Sequence, residues 1–468
     1  MYNVFQYSIL TLMSLCLAIM MISCAGDSSQ VTTLKAGFGE TVITPTKPSQ
    51  MDGFARSQVS TGTHDDLHAR CMVFEDGDGT VVAMLTVSLV AIPREMFPVI
   101  REGITEQTGI PPEQIILSAT HTHSGPRMRE ADEEYRDYFV DQCIASAVEA
   151  WNNRVPARLG VGSTIVRELG RNRRQLLYGG VHPDPEVGMI KVEDDNGKLL
   201  GVAFNYGCHP SGLDWRNTMF SEDWPYFAIQ GIKEQYGEDI WVGFYQGCEG
   251  DINVGYSSEL SAVGADMPVR SYWYMEWKGA QMSDAVNAAL DSIATAGDLD
   301  IGTSYDSFEY PLRKEYPVTV KQAEKDAKTA KERLDVMEKD PRFAGTRLLD
   351  QARVEVFSTG QRLRSAQRFY SDDRPVVRTI EHRAVRLGDA VFATVPDEVF
   401  SGIGLAIKNG TSCKKTFLIG ITNGYRGYLP SAREFIEGDY EVDGSAYSPE
   451  AEPVCIRSTL DMIGRVWK

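Results

Sequence analysis

Histidine is scarce in this chain, with 7 residues in 468, so each one near a strand end has to be weighed singly. No two of the eight cysteines stand in a CxxC pair, which leaves a cysteine-rich zinc site without support. There is no GxSxG elbow, no HExxH, no phosphate-binding P-loop and no GxGxxG. Serine-elbow hydrolases, HExxH metalloproteases and the common nucleotide-binding folds therefore have no signature here. Positive charge is also in deficit, with 47 Lys+Arg against 65 Asp+Glu and a formal net charge of −18. That balance argues against nucleic acid, and against an anionic membrane surface, as a partner. What is present is ordinary for a globular chain: 43% hydrophobic and 24% charged residues, which excludes general disorder. The length suits one large domain or two to three ordinary ones.

The first 23 residues carry no charged side chain. Ser8 to Ile22 is nearly continuous apolar sequence, shorter than the ~20 residues of a comfortable membrane-spanning helix. It fits the apolar region of a secretory signal better than a buried first helix, because polar sequence follows at once. Met21-Ile22-Ser23-Cys24 resembles a bacterial lipobox, with Met where Leu is usual and no Lys or Arg ahead of it. The expectation is a signal over 1–23, a lipidated Cys24 with a tether over 24–34, and an exported lipoprotein held to the membrane by that lipid. Cys71, Cys143, Cys208, Cys248, Cys413 and Cys455 then remain as scattered buried thiols, although an oxidising compartment permits a disulfide.

Beyond the tether the chain alternates strand-like and helix-like segments. Val81 to Ile92, Ile115 to Ala119 and Ile240 to Tyr245 read as strands. Val187 to Val192 and Leu199 to Tyr206 read as a hairpin turned at Asp195-Asn196-Gly197. Ala384 to Val395, broken at Gly388-Asp389, and Thr416 to Ile421 are further strand regions. Pro93 to Gly109 and Asp132 to Asn153 read as helices. The fold class is α/β, or mixed α+β, with helices around mixed sheets. From about 317 to 371 the pattern changes to a charged helical hairpin, with Ala323, Ala327, Ala330, Leu334 and Met337 on one stripe and Leu349, Ala352, Val356, Leu363 and Ala366 on the next. Its charges read as a solvated face.

The chemistry lies at the predicted strand ends, where sites form in open sheets. His121 and His123 follow Ile115 to Ala119, and residues two apart in extended chain face one side. Imidazole is the commonest metal ligand, but an HxH pair is equally a hydrogen-bonded loop pair. His209 follows Tyr206, Glu398 follows Val395, and Tyr428 lies past Ile421. Each alone reads as a satisfied core histidine, a helix-terminal charge or a buried phenol. Together, two histidines and a carboxylate make a zinc site with a position left open.

These residues stand in motifs that resemble one family, the neutral, non-lysosomal ceramidases, zinc amidases of the N-acyl bond of ceramide. The resemblance runs through Gly37-Phe38-Gly39, Ile43-Thr44-Pro45, Gly53-Phe54-Ala55, Thr63-His64-Asp65-Asp66 and His121-Thr122-His123-Ser124-Gly125-Pro126. It continues through His209-Pro210, Gly250-Asp251, Val395-Pro396-Asp397-Glu398 and Gly427-Tyr428 to Tyr440-Glu441. It implies a single catalytic domain over 35–468 in which His121, His209, Glu398 and Tyr428 bind Zn2+. It implies that His123 contacts substrate or its oxyanion, that Tyr440 stabilises the tetrahedral intermediate, and that Arg173 binds substrate.

Four departures stand against the resemblance. Asn253 occupies the place of the family's serine nucleophile, and Ser88 that of an aspartate near the site. No immunoglobulin-like domain follows, and the helical segment has no obvious counterpart. With the serine missing, the expected chemistry is hydrolysis by zinc-activated water, with Asp251 as candidate base, or else a loop anchor, and Asn253 as a hydrogen-bond donor. The substrate is a lipid amide or an acylated small molecule. Polar loops carrying Arg127, Arg129, Arg171, Arg173, Arg174, Asp214, Trp215 and Arg216 favour a polar acylated carbohydrate, ester or amide, unless they are simply solvated surface. A non-catalytic binding lipoprotein on the same fold is the third reading.

Overall fold

The computed structural model describes residues 33–54, 58–174, 180–255, 271–371, 375–422 and 424–467. The expected signal and Cys24 lie outside the described residues. Three mixed sheets form the core. The first orders Ile115–Ala119, Val81–Val87, His68–Glu75, Lys35–Val42 and Val155–Pro156. The second orders Trp241–Gln246, Leu199–Tyr206, Glu186–Glu193 and Arg158–Ile165. The third orders Ile301–Pro311, Val377–Leu387, Ala390–Pro396 and Lys415–Thr422.

Each sheet ends in one parallel pair, and a parallel pair needs a crossover connection. Met96–Thr108 lies between Val81–Val87 and Ile115–Ala119. Trp224–Tyr236 lies between Leu199–Tyr206 and Trp241–Gln246. Ser401–Gly410 lies between Ala390–Pro396 and Lys415–Thr422. The described residues therefore hold three strand–helix–strand units, one in each of these sheets. Their strands meet at a shared inner core that includes Phe74, Met84, Ile116, Ala203, Trp241, Tyr245, Phe392, Phe417 and Ile419. Polar side chains stitch the sheets there: the Tyr245 hydroxyl donates to the Met84 carbonyl (2.7 Å), and Asn205 Nδ2 to the Leu418 carbonyl (2.9 Å). Helices cover each outer face, as Glu133–Asn152 does on the first sheet.

The elements read from the sequence are present, with the 187–206 hairpin turned at Gly197, which adopts φ 79°. The charged segment is a pair of helices, Val320–Glu338 and Arg347–Phe369, capped by Thr319 and Thr346 side chains. Its outer face carries exposed ion pairs such as Lys331–Asp335. The inner face of the second helix docks on the core: Arg362 bonds Asp443 (2.7 Å), and Phe357 stacks on Tyr440 at 5.6 Å between ring centroids. No described helix is long and apolar enough to cross a membrane. The six described cysteines are all free, five of them buried.

Candidate metal centre

The carboxyl ends of the parallel pairs converge on one buried cluster. The loop after Ile115–Ala119 delivers His121, whose backbone is left-handed at φ 69°. Its Nδ1–H donates to the Val90 carbonyl (2.7 Å), which fixes the tautomer and leaves the Nε2 lone pair bare. His209 follows Leu199–Tyr206 and is fully buried. Its Nδ1–H is shared by the Ile252 (2.9 Å) and Glu249 (3.0 Å) carbonyls, so its Nε2 is unprotonated as well. Burial, then the nearby Arg173 guanidinium, push the His209 imidazole down to about 3, so it is neutral across the physiological range.

Glu398 closes the cluster from the third sheet. Its Oε2 lies 2.9 Å from His209 Nε2 and 3.6 Å from His121 Nε2. Its Oε1 accepts from the Tyr425 hydroxyl. The residue before it, Asp397, is locked by Arg378 Nη1 (2.6 Å), the Arg426 N–H (2.7 Å) and the Tyr447 hydroxyl. Backbone strain concentrates around the cluster: His121, Asp397, Ile421 and Asp439 all adopt positive φ. Such residues cost about 1–3 kcal/mol each and persist only where the surroundings over-determine them.

The residue types fit a zinc ion: two unprotonated imidazole nitrogens and a carboxylate oxygen, with each imidazole already oriented by a carbonyl. Ligand atoms of His121, His123 and His209 lie within 4.8 Å of one another, as do those of His121, Glu249 and Glu398. His123 sits edge-on to Phe54, and burial, then His121 and His209, hold its imidazole well below the ordinary value. A Cβ on Gly53, at φ 92°, would fall 2.5 Å from the His123 ring, so only glycine seats that ring.

Tyr428 pairs alongside Glu398, and its hydroxyl accepts from Arg173 Nη2 (3.2 Å). Tyr440 lies edge-on to Tyr428, and burial, then Glu398, push its phenol up to about 12. A cleft of about 440 Å3 opens onto the cluster, lined by His121, His123, Glu398, Tyr425, Tyr428 and Tyr440.

The geometry bears on three expected roles. Asp251 is spent as an anchor: its Oδ1 accepts from the Ser401 N–H (2.7 Å), and its Oδ2 from Ser401 Oγ and Asn172 Nδ2 (both 2.8 Å). Both oxygens are engaged and the side chain is off the cleft wall, an arrangement that matches the loop anchor it was also read as. Asp251→Ala is expected to lower the free energy of unfolding by about 3 kcal/mol, since it orphans buried donors. Urea denaturation reads that loss. Arg173 does not line the cleft. It lies behind the cluster, bonding Glu441 (2.8 Å), the Gly250 carbonyl (2.8 Å) and His209 Nε2 (3.3 Å), and so helps to position His209. Asn253 is buried on a bridge with Arg171, and its Oδ1 accepts from the Gly255 N–H (3.0 Å), also off the cleft wall.

Of the polar loop residues, Arg129 reaches the cleft, while Arg171 pairs with Glu168, Arg174 with Glu441 and Arg216 with Asp214. The helical pair, whose charges read as a solvated face, contributes Phe357, Gln361 and Arg364 to the cleft wall. Ser88 donates to buried Glu222 (2.6 Å), and His64 stacks on Tyr272. Tyr425 and Glu249 were not anticipated. Each lies shortly after a predicted strand but among other polar residues, so its placement did not single it out.

No family model matches the chain. Among curated proteins it is similar to a neutral ceramidase of Pseudomonas aeruginosa, 28% identical over 130 residues covering 23% of this chain and 19% of that protein. It is 24% identical over 208 residues to neutral ceramidase A of Dictyostelium discoideum, covering 38% and 29%. Over 235 residues it is 24% identical to a neutral ceramidase of Oryza sativa, covering 45% and 30%. The matched stretches thus span less than a third of these relatives. In three dimensions it resembles the crystal structure of the Pseudomonas aeruginosa neutral ceramidase, with TM-score 0.70 and 17% identity over 92% of this chain and 74% of that one. A ceramidase complexed with C2 gives 0.67 and 18% over 92% and 75%. The fold is that of the neutral ceramidases.

Proposed function

We propose that this chain, neutral ceramidase-like in sequence and in fold, is a zinc-dependent hydrolase of an amide (N-acyl) or ester bond. The observation that carries the reading is the meeting of two unprotonated imidazole nitrogens with the Glu398 carboxylate, each imidazole already tethered through its other nitrogen. His121, His209 and Glu398 would hold the ion, with Tyr428 beside them. Bound zinc polarises a carbonyl and brings the pKa of water toward ~7. Tyr425 and Arg173 keep Glu398, His209 and Tyr428 aimed at one point. Tyr440 keeps its phenol proton at neutral pH and can donate it to an oxygen on which negative charge develops, with His123 alongside. Serine at position 253 plays no part, because the residue there is asparagine.

The cleft mixes apolar walls (Phe54, Ile92, Pro93, Phe357) with charge at Asp52, Arg129 and Arg364. That mixture supports a substrate with an acyl group and a polar head, and it favours a polar acylated compound as the second reading. Zinc-loaded protein assayed against N-acyl lipids, acylated sugars and small esters tests the reading. Hydrolysis of one class is expected. Zinc binding without turnover of any class would leave the binding-protein reading standing instead. Export and anchoring through lipid on Cys24 belong to the same proposal. Mass spectrometry of the N-terminal peptide finding an intact, unlipidated Cys24 would contradict it.

A further inference from the structure

Glu249 is the anomalous residue of the centre. It sits in the loop after Trp241–Gln246, fully buried, and neither of its carboxylate oxygens has a hydrogen-bond partner. The other acids there have donors: Glu398 accepts from the Tyr425 hydroxyl, and Asp251 from Ser401 and Asn172. A buried carboxyl without donors either holds a proton or meets a cation, because an ionised one taken out of water costs several kcal/mol. The side chain is nevertheless aimed at the cluster, with an oxygen within 4.8 Å of ligand atoms of both His121 and Glu398. The neighbouring strand leaves room for it: a Cβ on Gly420 would lie 3.1 Å from Glu249 Oε2 and 2.3 Å from the Gly247 carbonyl. The Glu249 main-chain carbonyl already orients His209, so one residue addresses the centre twice.

We propose that Glu249 is a further ligand of the cation at this centre, reaching it beside His121 and Glu398. The inference rests on reading the centre as a metal site. Nothing in the resemblance assigns Glu249 a role, and it gives this chain a second carboxylate where the expected ligand set has one. A divalent ion then meets two acids and histidines, and the buried charge is balanced.

The test is zinc affinity of the purified chain, stripped with chelator and titrated against a chromophoric competitor. Alongside it, the melting temperature is measured with and without zinc. Glu249→Gln is expected to raise the zinc Kd at least tenfold and to shrink the melting shift that zinc produces. The metal-free variant should melt no lower than metal-free wild type, because an unpaired buried acid has been removed. Glu249→Ala should show the same loss of affinity. Unchanged affinity in both variants, with zinc binding abolished in His121→Asn, would overturn the role of Glu249 and leave the zinc reading intact. A wild-type chain that binds no zinc would overturn both.

Discussion

His121→Asn is expected to lose zinc and to drop kcat/KM by roughly 10^3-fold or more. Several kcal/mol of transition-state stabilisation are attributed to a Lewis-acid metal, and each 1.36 kcal/mol is tenfold in rate. Asparagine is the informative replacement because position 121 has φ 69°, and asparagine tolerates left-handed backbone better than alanine does. Its amide can also still donate toward the Val90 carbonyl that now receives His121 Nδ1–H. Circular dichroism should therefore show a folded chain, and metal analysis an empty one. Retained hydrolysis at wild-type rates, with zinc absent, would remove the metal from the chemistry altogether.

Tyr440→Phe is expected to lower kcat by about 10^2–10^3-fold while changing KM little, since losing one oxyanion donor costs that much. The ring stays stacked on Phe357 and edge-on to Tyr428, so packing survives and only the hydroxyl goes. The Tyr440 main-chain carbonyl also keeps its bond from Gln361 Nε2 (2.8 Å), which holds the loop in place. A fall in KM with kcat unaltered, or less than about fivefold change in either, would assign Tyr440 to shaping the cleft rather than to chemistry.

The histidine pair and Glu398 were legible in the sequence for a physical reason. A polar residue just past an apolar β-branched run must leave the sheet at its carboxyl edge, which is where crossover connections place a site. The three strand–helix–strand units explain why that rule worked three times in one chain. Glu249 was not legible in the same way. Its loop held Asp251 and Asn253 as well, and no local pattern says which acid turns inward. The structure separates them by satisfaction: Asp251 has three donors, Glu249 none. The helical pair was legible as a hairpin, but charge density marks only its outer face and does not show which residues reach the cleft. The three residues that reach the cleft, Phe357, Gln361 and Arg364, lie on the second helix at spacings of four and three, and a docked inner face needs no more than that. The resemblance gave Arg173 to substrate, and sequence cannot show depth. Buried behind His209 and Tyr428, it braces those two side chains.

The centre as a whole is tested most directly by X-ray absorption at the zinc edge on wild-type protein loaded with one equivalent of zinc. The expected spectrum shows a shell of nitrogen and oxygen at ~2.0–2.1 Å with imidazole outer-shell scattering and no sulfur. A sulfur shell near ~2.3 Å, or zinc that washes away before measurement, would contradict a site built on His121, His209 and Glu398.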